Sequence, residues 1–95
     1  MDREPRIDFA PSAARHGIGP ERARYVVSHC RNPLYALDED RNITNAVLFL
    51  GPDPNGVPLE VGAIEAEDGG LLVIHAMRLR PKYRSDYLRA IRGQP

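Results

Sequence analysis

The chain has 95 residues, a formal net charge of zero and 42% apolar residues, enough for one core and too little for a second domain. Its one cysteine, Cys30, excludes an intrachain disulfide, and one Cys with three scattered His excludes a Cys/His zinc site. The apolar runs Val47–Leu50 and Leu71–Ile74 are far too short to span a bilayer, and Met1–Pro5 has no signal-peptide core. The expectation is a single cytoplasmic domain over residues 1–95, without cofactor, metal or membrane attachment.

The charge is unevenly placed. Residues 75–95 hold six basic residues (Arg78, Arg80, Lys82, Arg84, Arg89, Arg92) and one acid, Asp86, a net +5 against −5 for residues 1–74. A basic end on an acidic chain points to an anionic partner. A solvated helix face with cations near its C-terminus gives the same pattern without function.

In chain order, the charged residues 1–9, with Pro5, read as a loose arm or a short edge segment. Ser12 can cap a short helix, Ala13–His16, closed by Gly17 in the left-handed conformation. Pro20 then opens a helix that runs to about His29, with Ala23, Val26 and Val27 on its apolar stripe, and Asn32-Pro33 stops it. Leu34–Leu37 reads as a short strand, and 38–42 as a charged turn. Ala46–Gly51, Pro58–Ala66 and Leu71–Leu79 read as strands, joined by hairpin turns at Asn55-Gly56 and Asp68-Gly69. Pro81 starts a final basic helix that Gly93 ends. The fold class is α+β: N-terminal helices, an antiparallel meander of three or four strands and a C-terminal basic helix.

Centring the turns on Asn55-Gly56 and Asp68-Gly69 sets a register. It places Phe49 opposite Gly62, Leu50 opposite Val61, Gly62 opposite His75 and Glu60 opposite Met77. One face then holds Leu48, Leu50, Leu59, Val61, Ala63, Ile74, Ala76 and Arg78, the expected seat for both helices. The other holds Val47, Phe49, Glu60, Gly62, Ile64, Val73, His75 and Met77, with the strand histidine diagonal to Glu60.

Two segments together carry a resemblance. The first is Arg15-His16-Gly17-Ile18, followed by the helix over Glu21–Val27 and Asn32-Pro33-Leu34. The second is Ile74-His75-Ala76-Met77-Arg78-Leu79-Arg80-Pro81-Lys82-Tyr83-Arg84, running into Asp86-Tyr87-Leu88. Flanking an antiparallel sheet in this order, over roughly residues 9–90, they resemble the BrnT-like toxins of bacterial type II toxin–antitoxin systems, within the RelE/ParE-like superfamily. The resemblance implies a RelE/BrnT-like fold, endoribonuclease activity, a cognate antitoxin protein, and assembly as a homodimer or a hetero-oligomer with that antitoxin. It places Arg78 where the family has an arginine after the strand, and Tyr87 where many members have an aromatic residue in the last helix.

RNA cleavage without metal needs a base for the ribose 2′-OH, cations for the phosphorane oxygens and an acid for the leaving 5′-oxygen. The candidate catalytic residues are His75, Glu60 to orient it or act as base, Arg78 and Tyr87. Candidate substrate-binding residues are Arg80, Lys82, Tyr83 and Arg84, which can contact phosphates or stack on bases. Plainer roles exist for each: His75 as a half-buried packing residue, Glu60 as the ion-pair partner of a nearby Arg, Tyr83 and Tyr87 as a packing pair. His16 reads as a helix-end residue, His29 as surface and Cys30 as a small apolar residue. The alternative function is a non-catalytic nucleic-acid- or protein-binding domain of the same fold.

Overall fold

A computed structural model describes residues 6–38 and 43–92. The order of elements is β1 (Ile7–Phe9), a 3₁₀ helix (Pro11–Ala14), α1 (Pro20–His29), β2 (Leu34–Asp38), β3 (Ile43–Pro52), β4 (Pro58–Glu65), β5 (Leu71–Arg78), a second 3₁₀ helix (Pro81–Tyr83) and α2 (Arg84–Ile91). The strands form one five-stranded sheet in the order β1-β5-β4-β3-β2. β2 to β5 are an antiparallel meander, and β1 runs parallel to β5 along its outer edge. The protein is therefore α+β with a mixed sheet, not the three- or four-stranded antiparallel one expected. Residues 7–9 form the short edge segment and not the loose arm: Ile7 is buried, and Arg6 pairs with Asp68 in the β4–β5 turn. The expected turn at 38–42 lies largely outside the described residues, as does Gly93.

α1 has the bounds its sequence suggests. Pro20 occupies its first turn, Glu21 meets the positive helix end, and Ala23, Val26 and Val27 are buried. That stripe packs on Val47, Phe49, Leu59, Val61, Ala63, Val73 and Ala76, with Ile18 and Ala13 closing the layer. Leu59, Val61 and Val73 have no exposed surface, and each such side chain contributes about 1.5–3 kcal/mol of burial free energy.

The β3–β4 pairing differs from expectation by one residue: Phe49 opposes Val61, and Leu50 opposes Glu60. The cause is the turn chemistry. Gly56, at φ 83°, donates its N–H to the Asp53 carbonyl, and Asp53 N–H donates to the Val57 carbonyl. This makes a three-residue loop with a glycine bulge instead of a two-residue turn. The Asp53 carboxylate holds it, accepting from the N–H groups of Asn55 and Val57 and from Arg22 of α1.

The β4–β5 turn repeats the design, with Gly69 at φ 85°. Its effect on register is cancelled further along, where a bulge at Ile74 lets Ala63 oppose Val73 while Gly62 opposes His75. Val73, not Ile74, therefore joins the α1 face.

The slip at Asp53 turns Leu48 and Leu50 away from α1. The helices consequently lie on opposite faces, not on one as expected: α2 covers the second face, where Leu50, Tyr87 and Ala90 form a smaller core with Leu34, Leu48, Leu79 and Tyr83 against it. Leu50→Ala should then loosen α2 and lower the unfolding free energy by about 2–5 kcal/mol. Leu72→Ala, at a side chain 38% exposed, should change it by less than about 1 kcal/mol. Urea unfolding followed by circular dichroism checks both.

Candidate active site

On the α2 face, β4 and β5 carry Glu60, Gly62, His75 and Met77 in register. Glu60 has no exposed surface, so its carboxylate must find every partner within the protein. Oε1 accepts from His75 Nε2 at 3.0 Å, Arg80 Nε at 2.8 Å and Arg80 Nη2 at 2.6 Å, and Oε2 accepts from the Arg80 backbone N–H at 2.9 Å. Burial alone would push the Glu60 carboxyl up; the hydrogen bonds from His75 and Arg80, with the Arg80 charge, outweigh it and bring the group down to about 2. Glu60 is thus an anion throughout the neutral range.

That anion decides the form of His75. A carboxylate only accepts, so Nε2 carries the proton, and in the neutral ring Nδ1 is left with a lone pair. Among the described residues Nδ1 has no partner, and no side-chain nitrogen or oxygen is buried without one, so it reaches solvent. The crossing passes over Gly62. The imidazole leans over it towards Glu60, and a Cβ there would sit 3.4 Å from His75 Cβ and 3.8 Å from Cδ2. A methyl would make ordinary contact with the ring.

Arg80 stands where the strand gives way to the second 3₁₀ helix. Nε and Nη2 are held by Glu60, its side chain is 40% exposed, and Nη1 has no partner among the described residues. Arg80 and Lys82 both lie against the Tyr83 ring, at 5.4 and 5.1 Å from its centre.

The sequence-derived residues therefore divide. His75, Glu60 and Arg80 form one hydrogen-bonded cluster, with Lys82 and Tyr83 adjoining it. Arg78 opposes Leu59 and leaves the sheet on the α1 face, away from His75, where it is exposed; neither Arg78 nor the exposed Arg84 has an ion-pair partner among the described residues. Tyr87 is buried against Leu50 and Ala90, and burial pushes its phenol up. It is a core residue with no hydrogen bond to the cluster.

One residue comes to the cluster from outside the expected set. The His16 ring is edge-on to His75, with ring centres 5.9 Å apart. Ser12 Oγ donates to the carbonyl of Ile74, the residue before His75, and Ala10 N–H donates to Val73, fastening this segment to β5. Only the parallel β1–β5 pairing creates this proximity, and no local pattern in the sequence signals it. His29 stays on the α1 surface, stacked on Tyr25.

Among the described residues no group of three or more His, Cys, Asp and Glu side chains converges as a metal site, and no helix is long and apolar enough to cross a membrane. An open cleft of about 450 Å³ is lined by Arg31, Leu34, Tyr35, Asp86 and Arg89. It lies at β2, three strands and so about 14 Å from β5, too far to share one phosphate with His75. Comparison with protein-family models, curated proteins and solved structures gives no match for this chain.

The low position of the Glu60 carboxyl has a thermodynamic consequence. A carboxylate held below its ordinary 4.5 contributes stability that is complete above that pH and disappears as pH falls towards about 2. The contribution should be roughly 2 kcal/mol once solvent screening is allowed for. Urea midpoints measured between pH 6 and pH 2, in steps of about one unit, should fall for the parent; Glu60→Gln should start lower and fall less.

Proposed function

We propose that the chain is a ribonuclease toxin with a RelE/BrnT-like fold, which cleaves RNA by 2′-OH attack on the adjacent phosphate and is restrained by an antitoxin protein. The observation that carries this reading is the His75 imidazole, bound through Nε2 to a buried carboxylate that also holds Arg80, with Nδ1 left open to solvent. That arrangement offers a base and a cation, two of the three parts that a transesterification requires. Nδ1 takes the proton of the 2′-OH as the oxygen bonds to phosphorus, and Arg80 Nη1 donates to a nonbridging oxygen as charge builds there. Glu60 is a positioning residue: it orients the ring, fixes its tautomer and balances the imidazolium that forms. Lys82 and Tyr83 offer a cation and a ring face to the flanking nucleotide. The resemblance to BrnT-like toxins supports the choice of RNA and of an antitoxin partner, which must mask this face in the host cytoplasm.

A second reading has its own support. Arg78, Lys82 and Arg84 are exposed and have no carboxylate partner among the described residues, which suffices for binding a polyanion without cleaving it.

The two readings separate in one experiment. Purified protein with single-stranded RNA and a chelator should yield fragments ending in 2′,3′-cyclic phosphate. His75→Ala should lower the rate by about 10²–10⁴-fold while RNA affinity is nearly unchanged. Binding without cleavage by the parent protein decides for the second reading. On either reading affinity should fall as salt rises, and the combined Arg78→Ala, Lys82→Ala and Arg84→Ala variant should flatten the log–log slope by about two to three; fluorescence anisotropy across a salt series measures it.

A further inference from the structure

We propose that His16 is a second catalytic residue, the general acid that protonates the leaving 5′-oxygen opposite His75. The assignment rests on the proposed function and completes it, since His75 alone accounts for one of the two proton transfers. Three observations carry it. The two imidazoles are adjacent, with ring centres 5.9 Å apart and planes at 73°. Rings so placed can each extend a nitrogen to one end of an in-line O–P–O array through an ordinary hydrogen bond of about 3 Å. The arrangement is also held in place. Ser12 Oγ donates to the Ile74 carbonyl at 2.8 Å, Ala10 N–H donates to Val73, and Ala13 is buried in the main core. Gly17, at φ 76°, turns the chain immediately after His16 and leaves its side chain at the surface.

The third observation separates the roles. His75 spends Nε2–H on the Glu60 carboxylate and keeps a lone pair on Nδ1, which suits a base. His16 is exposed, has no hydrogen-bond partner among the described residues and is open to solvent, from which an acid can be reprotonated after each turnover.

The step balances. The 2′-O–H bond breaks and its proton goes to His75 Nδ1 as the O2′–P bond forms. The P–O5′ bond breaks, and the departing oxygen takes a proton from His16. The products are a 2′,3′-cyclic phosphate and a 5′-hydroxyl. No oxidant, reductant or further reactant is needed.

A leaving group that needs no proton isolates the acid. Parent, His16→Ala, His16→Gln and His75→Ala proteins would be compared on a short RNA and on uridine 3′-(4-nitrophenyl phosphate), whose nitrophenolate departs unprotonated. Both His16 variants are expected to lose about 10²–10⁴-fold on RNA and to act on the nitrophenyl ester at close to the parent rate; His75→Ala should lose activity on both. Because His16 is exposed, melting temperatures should stay at the parent value and exclude a folding defect. RNA cleavage by His16→Ala at the parent rate, or an equal loss on both substrates, overturns the assignment. Rescue of His75→Ala by the activated ester instead reverses the two roles and also overturns it. No RNA cleavage by the parent protein defeats the proposed function itself, and this assignment with it.

Discussion

A carboxylate with no contact to water organises this molecule. Glu60 would be costly to bury ionised and unpartnered, and it is tolerated because its two oxygens accept four hydrogen bonds, three of them from one arginine. Those bonds reach across structure. They join β4 to β5 through His75, and they hold the backbone of Arg80 at the point where the chain leaves the sheet for the second 3₁₀ helix and α2. The arrangement that positions the imidazole thus also sets where the last helix begins. A change at Glu60 or at His75 should be felt in folding, since either removes a hydrogen bond of the buried carboxylate, whereas His16 is exposed and takes no part in that network.

The basic segment is less uniform than its net charge suggests. Arg80 is committed to Glu60 through two of its side-chain nitrogens and its backbone, and Arg89 pairs with Asp86 on the same turn of α2. Among the described residues Arg78, Lys82, Arg84 and Arg92 remain without carboxylates, but they do not share one surface, because Arg78 emerges on the α1 side of the sheet. A polyanion that engages both Arg78 and His75 must therefore wrap the end of β5. Net charge reports the supply of cations, not their direction, and on a strand one residue reverses direction.

Much of the architecture was legible because it is local. The α1 boundaries follow from Pro20 and Asn32-Pro33, and its buried stripe from the spacing of Ala23, Val26 and Val27. The four meander strands follow from apolar runs between turn residues. The diagonal placement of Glu60 and His75 was legible too, since the register beyond the Ile74 bulge equals the one that a two-residue turn would set. Three things were not. The Asn55-Gly56 pair signals a hairpin but does not choose between a two-residue turn and the three-residue loop that Asp53 stabilises. The Ile74 bulge leaves no mark in an apolar run. The β1 pairing involves three residues with no pattern of their own.

Residue types and their local periodicity were enough to place a helix, four strands and a basic end, and to nominate an imidazole, a carboxylate and several cations as the chemistry-bearing groups. Tertiary structure alone decided which of them meet. It chose Arg80 over Arg78 as the Glu60 partner, sent Tyr87 into the core and brought His16 beside His75. The reason is physical. Backbone propensity acts over a few residues, whereas the partner of a buried charge is set by which groups the folded chain brings within hydrogen-bonding distance. Glu60 and His75 are 15 positions apart and Glu60 and Arg80 are 20, while His16 reaches β5 only because β1 and the segment after it are fastened along its edge.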